Sequence, residues 1–137
     1  MTEAYLGGWS IARSIVDFDR NDAIDCAGEA TLQALDRSIV YAERVRFELA
    51  NKLIHATRSY HFTTSDGAIV ATFSDGAPFF TLRLDAGGIG RAFHQCGGDR
   101  YALTLELREP DRWQTCWDVS GTKRLRITSA YRRSRQS

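Results

Sequence analysis

Apolar and polar positions alternate with a period of two along almost the whole chain, and no stretch of a dozen residues carries a convincing 3.6-residue stripe. The pattern predicts strands throughout. A first strand is expected over residues 6–18, turning at Asp19-Arg20-Asn21-Asp22, residue types that accept turn conformations. A second covers 23–35 with Gly28 at its centre, where an interior glycine marks a bulge or the bend of a barrel strand. A third starts at Asp36 and runs through Ile39, Tyr41, Glu43, Val45 and Phe47, then turns near Asn51-Lys52 into a fourth over 54–63. A short helix over 48–56 is the alternative there, but it lacks a clear N-cap.

Two Asp-Gly pairs, Asp66-Gly67 and Asp75-Gly76, supply the positive φ angles of tight hairpins and join strands expected at 60–64, 68–74 and 78–84. Gly87, Gly88 and Gly90 read as a looser loop and Gly97-Gly98 as another, before strands at 101–107, 113–119 and 125–132, with Pro110 in the turn between the first two. About nine antiparallel strands in chain order, joined by short turns, predict an all-β fold. The expected architecture is a single closed up-and-down barrel of about eight to ten strands, because closure removes exposed sheet edges. Such a barrel is just wide enough to be filled by side chains or to hold one small ligand.

Strand parity sorts residues into faces, and the apolar face is the expected interior. On the first strand that face is Trp9, Ile11, Arg13 and Ile15; on the third, Tyr41, Glu43, Val45 and Phe47; on the fourth, Arg58, Tyr60 and Phe62. Later strands add Tyr101, Leu103, Leu105 and Leu107, then Trp113, Thr115, Trp117 and Val119. Arg13, Glu43 and Arg58 are therefore two positive groups and one negative among aromatics, and a buried charge needs a partner, water or ligand. Either the three form an internal ion pair, Glu43 with Arg13 or Arg58, or one arginine pairs with Glu43 while the other offers its planar fork to a carboxylate or phosphate.

His94, Cys96, Asp99 and Tyr101 fall close together at a strand mouth. As a metal site this is weak, since zinc takes three or four ligands and His-x-Cys offers two with no second pair elsewhere. A structural histidine, or one that contacts ligand or moves a proton, is the stronger reading. His55 and His61 lie on the parity opposite to Arg58 and Tyr60 and are expected to be exposed; Cys26 and Cys116 are expected to be small buried apolar residues. Neither a nucleophile elbow nor a phosphate-cradling loop before a helix occurs.

With 137 residues, 43% hydrophobic and 26% charged, the chain is long enough for one domain with a proper core and too apolar to be disordered. Lysine plus arginine total 18 against 17 acidic residues, which gives no global reason to expect nucleic acid. The one basic cluster, Arg132, Arg133 and Arg135, reads as a flexible tail over 132–137. An odd number of cysteines, three, with no signal-peptide pattern points to a reducing cytoplasm, and no apolar run is long enough for a membrane helix.

Gly7-Gly8-Trp9 at the start of the first strand resembles the Gly-x-Trp signature of lipocalin-type barrels. The resemblance implies that the tryptophan closes one barrel end against a basic residue of the last strand, here Arg124, Arg126 or Arg132. The wider string is similar to an uncharacterised, mainly bacterial family of small lipocalin-like domains that carries only a domain-of-unknown-function label. Its landmarks are Gly8-Trp9 with Arg13, Tyr41 with Glu43, Arg58 with Tyr60, and Phe73-Ser74-Asp75-Gly76, then His94-x-Cys96 with Asp99 and Tyr101, and Trp117-x-Val119-x-Gly121. Two positions depart from that pattern: Phe80 stands where the family tends to have histidine, and Thr122 where it tends to have proline. The resemblance implies a fold and a cavity and brings no activity.

These readings converge on a lipocalin-like barrel that holds a partly apolar, anionic small molecule among Trp9, Arg13, Tyr41, Glu43, Arg58, Tyr60, His94 and Tyr101, with no metal and no cofactor. Two alternatives stand beside it. One is a small isomerase, lyase or hydrolase using Glu43 or His94 as general base in the same cavity; the other is an interaction module with a filled barrel. A haem carrier using His94 has only one candidate axial ligand behind it.

Overall fold

In a computed structural model, which describes residues 3–134, a 3-10 turn at Glu3–Tyr5 precedes ten strands. They are β1 (Gly7–Asp17), β2 (Asp22–Leu35), β3 (Ser38–Leu49), β4 (Lys52–Ser65), β5 (Ala68–Phe73), β6 (Pro78–Leu82), β7 (Ile89–Cys96), β8 (Asp99–Glu106), β9 (Arg112–Ser120) and β10 (Leu125–Arg133). All pair antiparallel in the order β6-β5-β4-β3-β2-β1-β10-β9-β8-β7, so the meander runs up and down and its first and last strands, β1 and β10, are neighbours. The sheet curls into a nearly closed barrel whose two ends, β6 and β7, meet through an isolated bridge between Leu84 and Gly90. Among the described residues no helix is long and apolar enough to cross a membrane.

Alternation of burial follows the alternation in the sequence. On β2, Cys26, Gly28, Ala30 and Leu32 are buried while Asp25, Ala27, Glu29 and Thr31 are exposed. The tenth strand, β7, is the one the sequence hides, because Gly87, Gly88 and Gly90 read as a loop that in fact gives way to strand at Ile89. Gly90 is glycine for a packing reason: a Cβ there would lie 2.7 Å from Leu82 Cδ1, across the β6–β7 boundary. Residues 48–56 belong to the β3–β4 hairpin, whose Ala50-Asn51 turn takes positive φ at both positions. Asp36 is likewise a turn residue (φ 55°) rather than the start of β3. Asp66-Gly67 makes the expected two-residue hairpin turn, but Asp75-Gly76 sits in a wider loop closed by the Phe73 amide donating to the Ala77 carbonyl.

The closed end is built on Trp9, fully buried, whose Nε1 donates to the Tyr5 carbonyl at 2.9 Å. The basic residue over its ring is Arg133, with its guanidinium carbon 4.2 Å from the ring centroid; it also donates to the carbonyls of Leu6, Ala4 and Pro110. The expected partners lie elsewhere. Arg124 pairs with Asp19, Arg126 with Asp118, and Arg132 faces outward, because β10 pairs Trp9 with Arg133 and parity turns its neighbour away. Arg132 and Arg133 are therefore strand residues rather than a flexible tail, and Arg135 lies outside the described residues. Cys26 is buried, but Cys116 is only half-buried on the outer face of β9; His55 is exposed and His61 half-buried.

No bulge interrupts the register at Gly28; it is required by close approach, since a Cβ there would collide with the Arg44 carbonyl and lie 2.7 Å from Val45 Cα on β3. The obstacle is backbone, which cannot swing aside. Gly28→Ala is expected to lower stability by about 1–3 kcal/mol, measured by urea unfolding; an unchanged midpoint would show that β2 and β3 can separate at no cost.

Candidate functional site

Beyond the Trp9 plug, inside the barrel, lies a cavity of about 120 Å³. Its walls are largely aromatic and aliphatic: Tyr41, Tyr60, Phe62, Phe79, Phe80, Trp113, Trp117 and Tyr131, with Ile15, Ile69, Leu103, Leu105 and Ile127. Arg13, Glu43, Arg58, Thr115 and Ser129 supply the polar part.

Arg13 reaches Glu43 because the part of β2 that lies between them presents Cys26, Gly28 and Ala30 to the interior, residues too small to block a long guanidinium. The pair is bidentate, Nη1 to Oε2 at 2.7 Å and Nη2 to Oε1 at 2.8 Å, and both side chains are withdrawn from solvent, 10% and 2% exposed. Arg13 Nε donates to Ser129 Oγ at 2.7 Å. The Tyr41 hydroxyl spends its single proton on Glu43 Oε1 at 2.5 Å, so Tyr131 must be the donor in the 2.8 Å contact between the two hydroxyls. The loop closes when Arg13 Nη2 donates to Tyr131 at 3.3 Å.

Every member of this network answers to the others. Burial alone would raise the Glu43 carboxyl, but the Arg13 hydrogen bonds and charge, helped by the Tyr41 hydroxyl, hold it below the ordinary carboxylate value. Burial works against the Arg13 charge as well, yet Glu43 raises its pKa on balance. Burial, with the neighbouring Tyr131 and Glu43, pushes the Tyr41 hydroxyl far above an ordinary phenol, and burial likewise raises Tyr131 and Tyr60. At neutral pH the network is thus one fixed ion pair and two neutral phenols.

Arg58 stands apart. It lies opposite Glu43 in the β3–β4 register, but its Nε is 3.9 Å from Glu43 Oε2, its Nη1 donates to the Tyr60 hydroxyl at 3.1 Å, and its side chain is 59% exposed. Arg13 has no unengaged edge to offer a ligand; Arg58 does.

Five of the eight residues singled out from sequence, Arg13, Tyr41, Glu43, Arg58 and Tyr60, line the cavity, and three do not. Trp9 is spent on the closed end. His94 lies on β7 with Nδ1 2.9 Å from the Phe79 carbonyl, an acceptor only, so that nitrogen carries the proton; its ring packs edge-on to Phe73 and Phe79. Tyr101, its register partner on β8, packs behind Trp117. Phe79, Phe80, Ser129 and Tyr131 are wall residues not singled out from sequence. Ser129 and Tyr131 share β10 parity with Arg133, whereas adjacent Phe79 and Phe80 both reach the cavity because a bulge shifts the β5–β6 register between Ala71 and Thr72. Alternation cannot anticipate that. Phe80, at the position of the expected histidine, is part of the wall, and Thr122, in place of proline, uses its amide to bond Asp99 at 2.7 Å, which proline could not.

The two candidate bases are placed differently: Glu43 is on the cavity wall, held ionised and bonded by Arg13 and Tyr41, and His94 is not among the lining residues. Among the described residues no group of three or more histidine, cysteine or acidic side chains is placed to hold a metal ion. Trp113 Nε1 is a buried donor without a partner among the described residues.

The sequence profile of a family of unknown function, DUF6314, matches residues 5–133. No curated protein sequence is significantly similar. Among solved structures, the S-type phycobiliprotein lyase CPES from Guillardia theta superposes with a TM-score of 0.74 at 8% identity, over 98% of this chain and 91% of that one. Rv2717c from M. tuberculosis gives 0.61 at 10% identity, over 97% and 94%. A protein of unknown function of the DUF3598 family from Nostoc punctiforme gives 0.66 at 13% identity over 96% of this chain, which spans about half (48%) of that one. At these identities the likeness is one of fold.

Ionised Glu43 has a folded pKa below the usual 4.5, so its contribution to stability is present above that pH and is lost as the pH falls through the folded value. Glu43→Gln, which strands the Arg13 charge, is expected to cost about 3 kcal/mol or more at neutral pH. In urea titrations the gap between wild type and variant should narrow below pH 4.5; a gap independent of pH would mean the carboxylate charge contributes nothing.

Proposed function

The chain belongs to DUF6314, a family of unknown function matched over residues 5–133, and we propose that it binds a small, partly apolar anionic molecule inside the barrel. The observation that carries this reading is the division of labour between the two arginines. Arg13 and Glu43 neutralise one another within the wall, while Arg58 keeps its positive charge beside the opening of an aromatic-lined cavity. Apolar walls provide burial and a few placed polar groups fix orientation, which is how ligand pockets divide those tasks. A guanidinium with free donors favours a carboxylate, sulfonate or phosphate.

The same geometry weighs against the alternatives. A general base needs a free acceptor facing substrate; Glu43 is bound by Arg13 and Tyr41, and His94, whose Nε2 is left as the acceptor nitrogen, is not among the residues that line the cavity. A module working only through its surface has no use for an open interior bordered by an unneutralised arginine.

The test uses two fluorescent probes that differ by a charge, 1-anilinonaphthalene-8-sulfonate and its uncharged parent N-phenyl-1-naphthylamine. Both should quench the emission of Trp113 and Trp117, which line the cavity, at one-to-one stoichiometry. Arg58→Ala should weaken the sulfonate roughly 10- to 100-fold, the worth of a charge-assisted hydrogen bond, and leave the neutral probe unchanged. Equal effects on both probes, or none on either, would overturn the assignment of Arg58.

A further inference from the structure

Of the ten strand-to-strand boundaries around the barrel, the one between β6 and β7 is not a hydrogen-bonded ladder. At one end it is pinned. Leu84 bridges Gly90, the Asp85 amide donates to the Ile89 carbonyl at 2.8 Å, and the missing side chain of Gly90 lets Leu82 pack against it. Away from the pin, the one hydrogen bond across the boundary among the described residues is that between His94 Nδ1 and the Phe79 carbonyl, at 2.9 Å.

Phe79 is also the residue that the β5–β6 bulge leaves without a ladder partner, since Ala71 faces Phe80 and Thr72 faces Pro78. Its side chain turns to the cavity, stacks on Phe73 at 4.5 Å and Trp117 at 5.4 Å, and lies 4.8 Å from Tyr60. One residue therefore forms cavity wall, sits off the ladder on one side and is latched by a single bond on the other. It belongs to the shortest strand, at the end of the sheet.

We propose that β6 is a flap hinged at the Leu84–Gly90 bridge, with Phe79 as its plug and His94 as its latch, and that the ligand's apolar part enters the barrel sideways between β6 and β7. Opening there breaks one hydrogen bond across the boundary and one aromatic cluster and loosens the short, bulged β5–β6 ladder on which β6 swings, whereas opening any of the remaining boundaries breaks a ladder without a register shift. The route rests on the binding reading above and adds that His94 is a positioning residue, acting on access rather than affinity.

Two experiments separate the flap from the binding reading. In stopped-flow with 1-anilinonaphthalene-8-sulfonate, His94→Ala should raise association and dissociation rates together by about 2- to 10-fold, the loss of one neutral hydrogen bond, with the dissociation constant nearly unchanged. Leu49→Ser, on the exposed tip of the β3–β4 hairpin at the barrel end opposite Trp9, should change neither rate. Rates that respond to Leu49→Ser and not to His94→Ala would place the entrance at the barrel end opposite Trp9 and overturn the proposal. Without any ligand, hydrogen–deuterium exchange should be faster in peptides spanning β6 than in those spanning β2 and β3, and His94→Ala should accelerate exchange only in β6 and in β5, whose ladder it shares. Uniform exchange, or acceleration spread over the barrel, would show that there is no flap, and this holds even if no probe binds.

Discussion

The buried pair between Arg13 and Glu43 is the constraint around which the barrel interior is arranged. Removing two charges from water is expensive, and their attraction repays it only when the geometry is good and the remaining donors and acceptors are met. Both conditions hold, through two short bonds and the hydroxyls of Tyr41, Tyr131 and Ser129. The pair joins β1 to β3 across β2, and its hydroxyl partners draw in β10. It explains why β2 carries Cys26, Gly28 and Ala30 inward, since any larger side chain would stand between the guanidinium and the carboxylate.

Once Glu43 is taken by Arg13, Arg58 is the cation left over, and the proposed preference for an anion rests on that charge. The two ends of the barrel differ for related reasons. One is sealed by Trp9 under Arg133, whose guanidinium satisfies three carbonyls. At the other, turns are tied by carboxylates, Asp19 to Arg124 and Asp99 to Thr122. The other boundaries are ladders, while the β6–β7 boundary is held by the pin at Leu84–Gly90, by aromatic packing and by the bond between His94 and Phe79.

Alternation read from the sequence placed most strands, the barrel class, and Arg13, Tyr41, Glu43, Arg58 and Tyr60 on one interior, because side-chain period and burial are local properties of a strand. It did not reveal β7, whose glycines imitate a loop, or Phe79, whose inward turn depends on a bulge against β5. Nor did it distinguish which arginine Glu43 would choose. Parity gives a face but not a height along the barrel, and Trp9, His94 and Tyr101 lie off the cavity for that reason.

The sequence by itself determined an all-β meander, a tryptophan-sealed barrel and an interior carrying two arginines and one carboxylate. Each follows from period-two alternation and from the Gly-x-Trp resemblance, which are written in neighbouring residues. Only the tertiary structure decided that Arg13 is consumed and Arg58 is spare, that Arg133 covers Trp9, and that β6 and β7 meet without a ladder. These depend on stagger between strands distant in sequence, on side-chain reach across an intervening strand, and on how ten strands close a circle, and none of those is a property of any one segment of the chain.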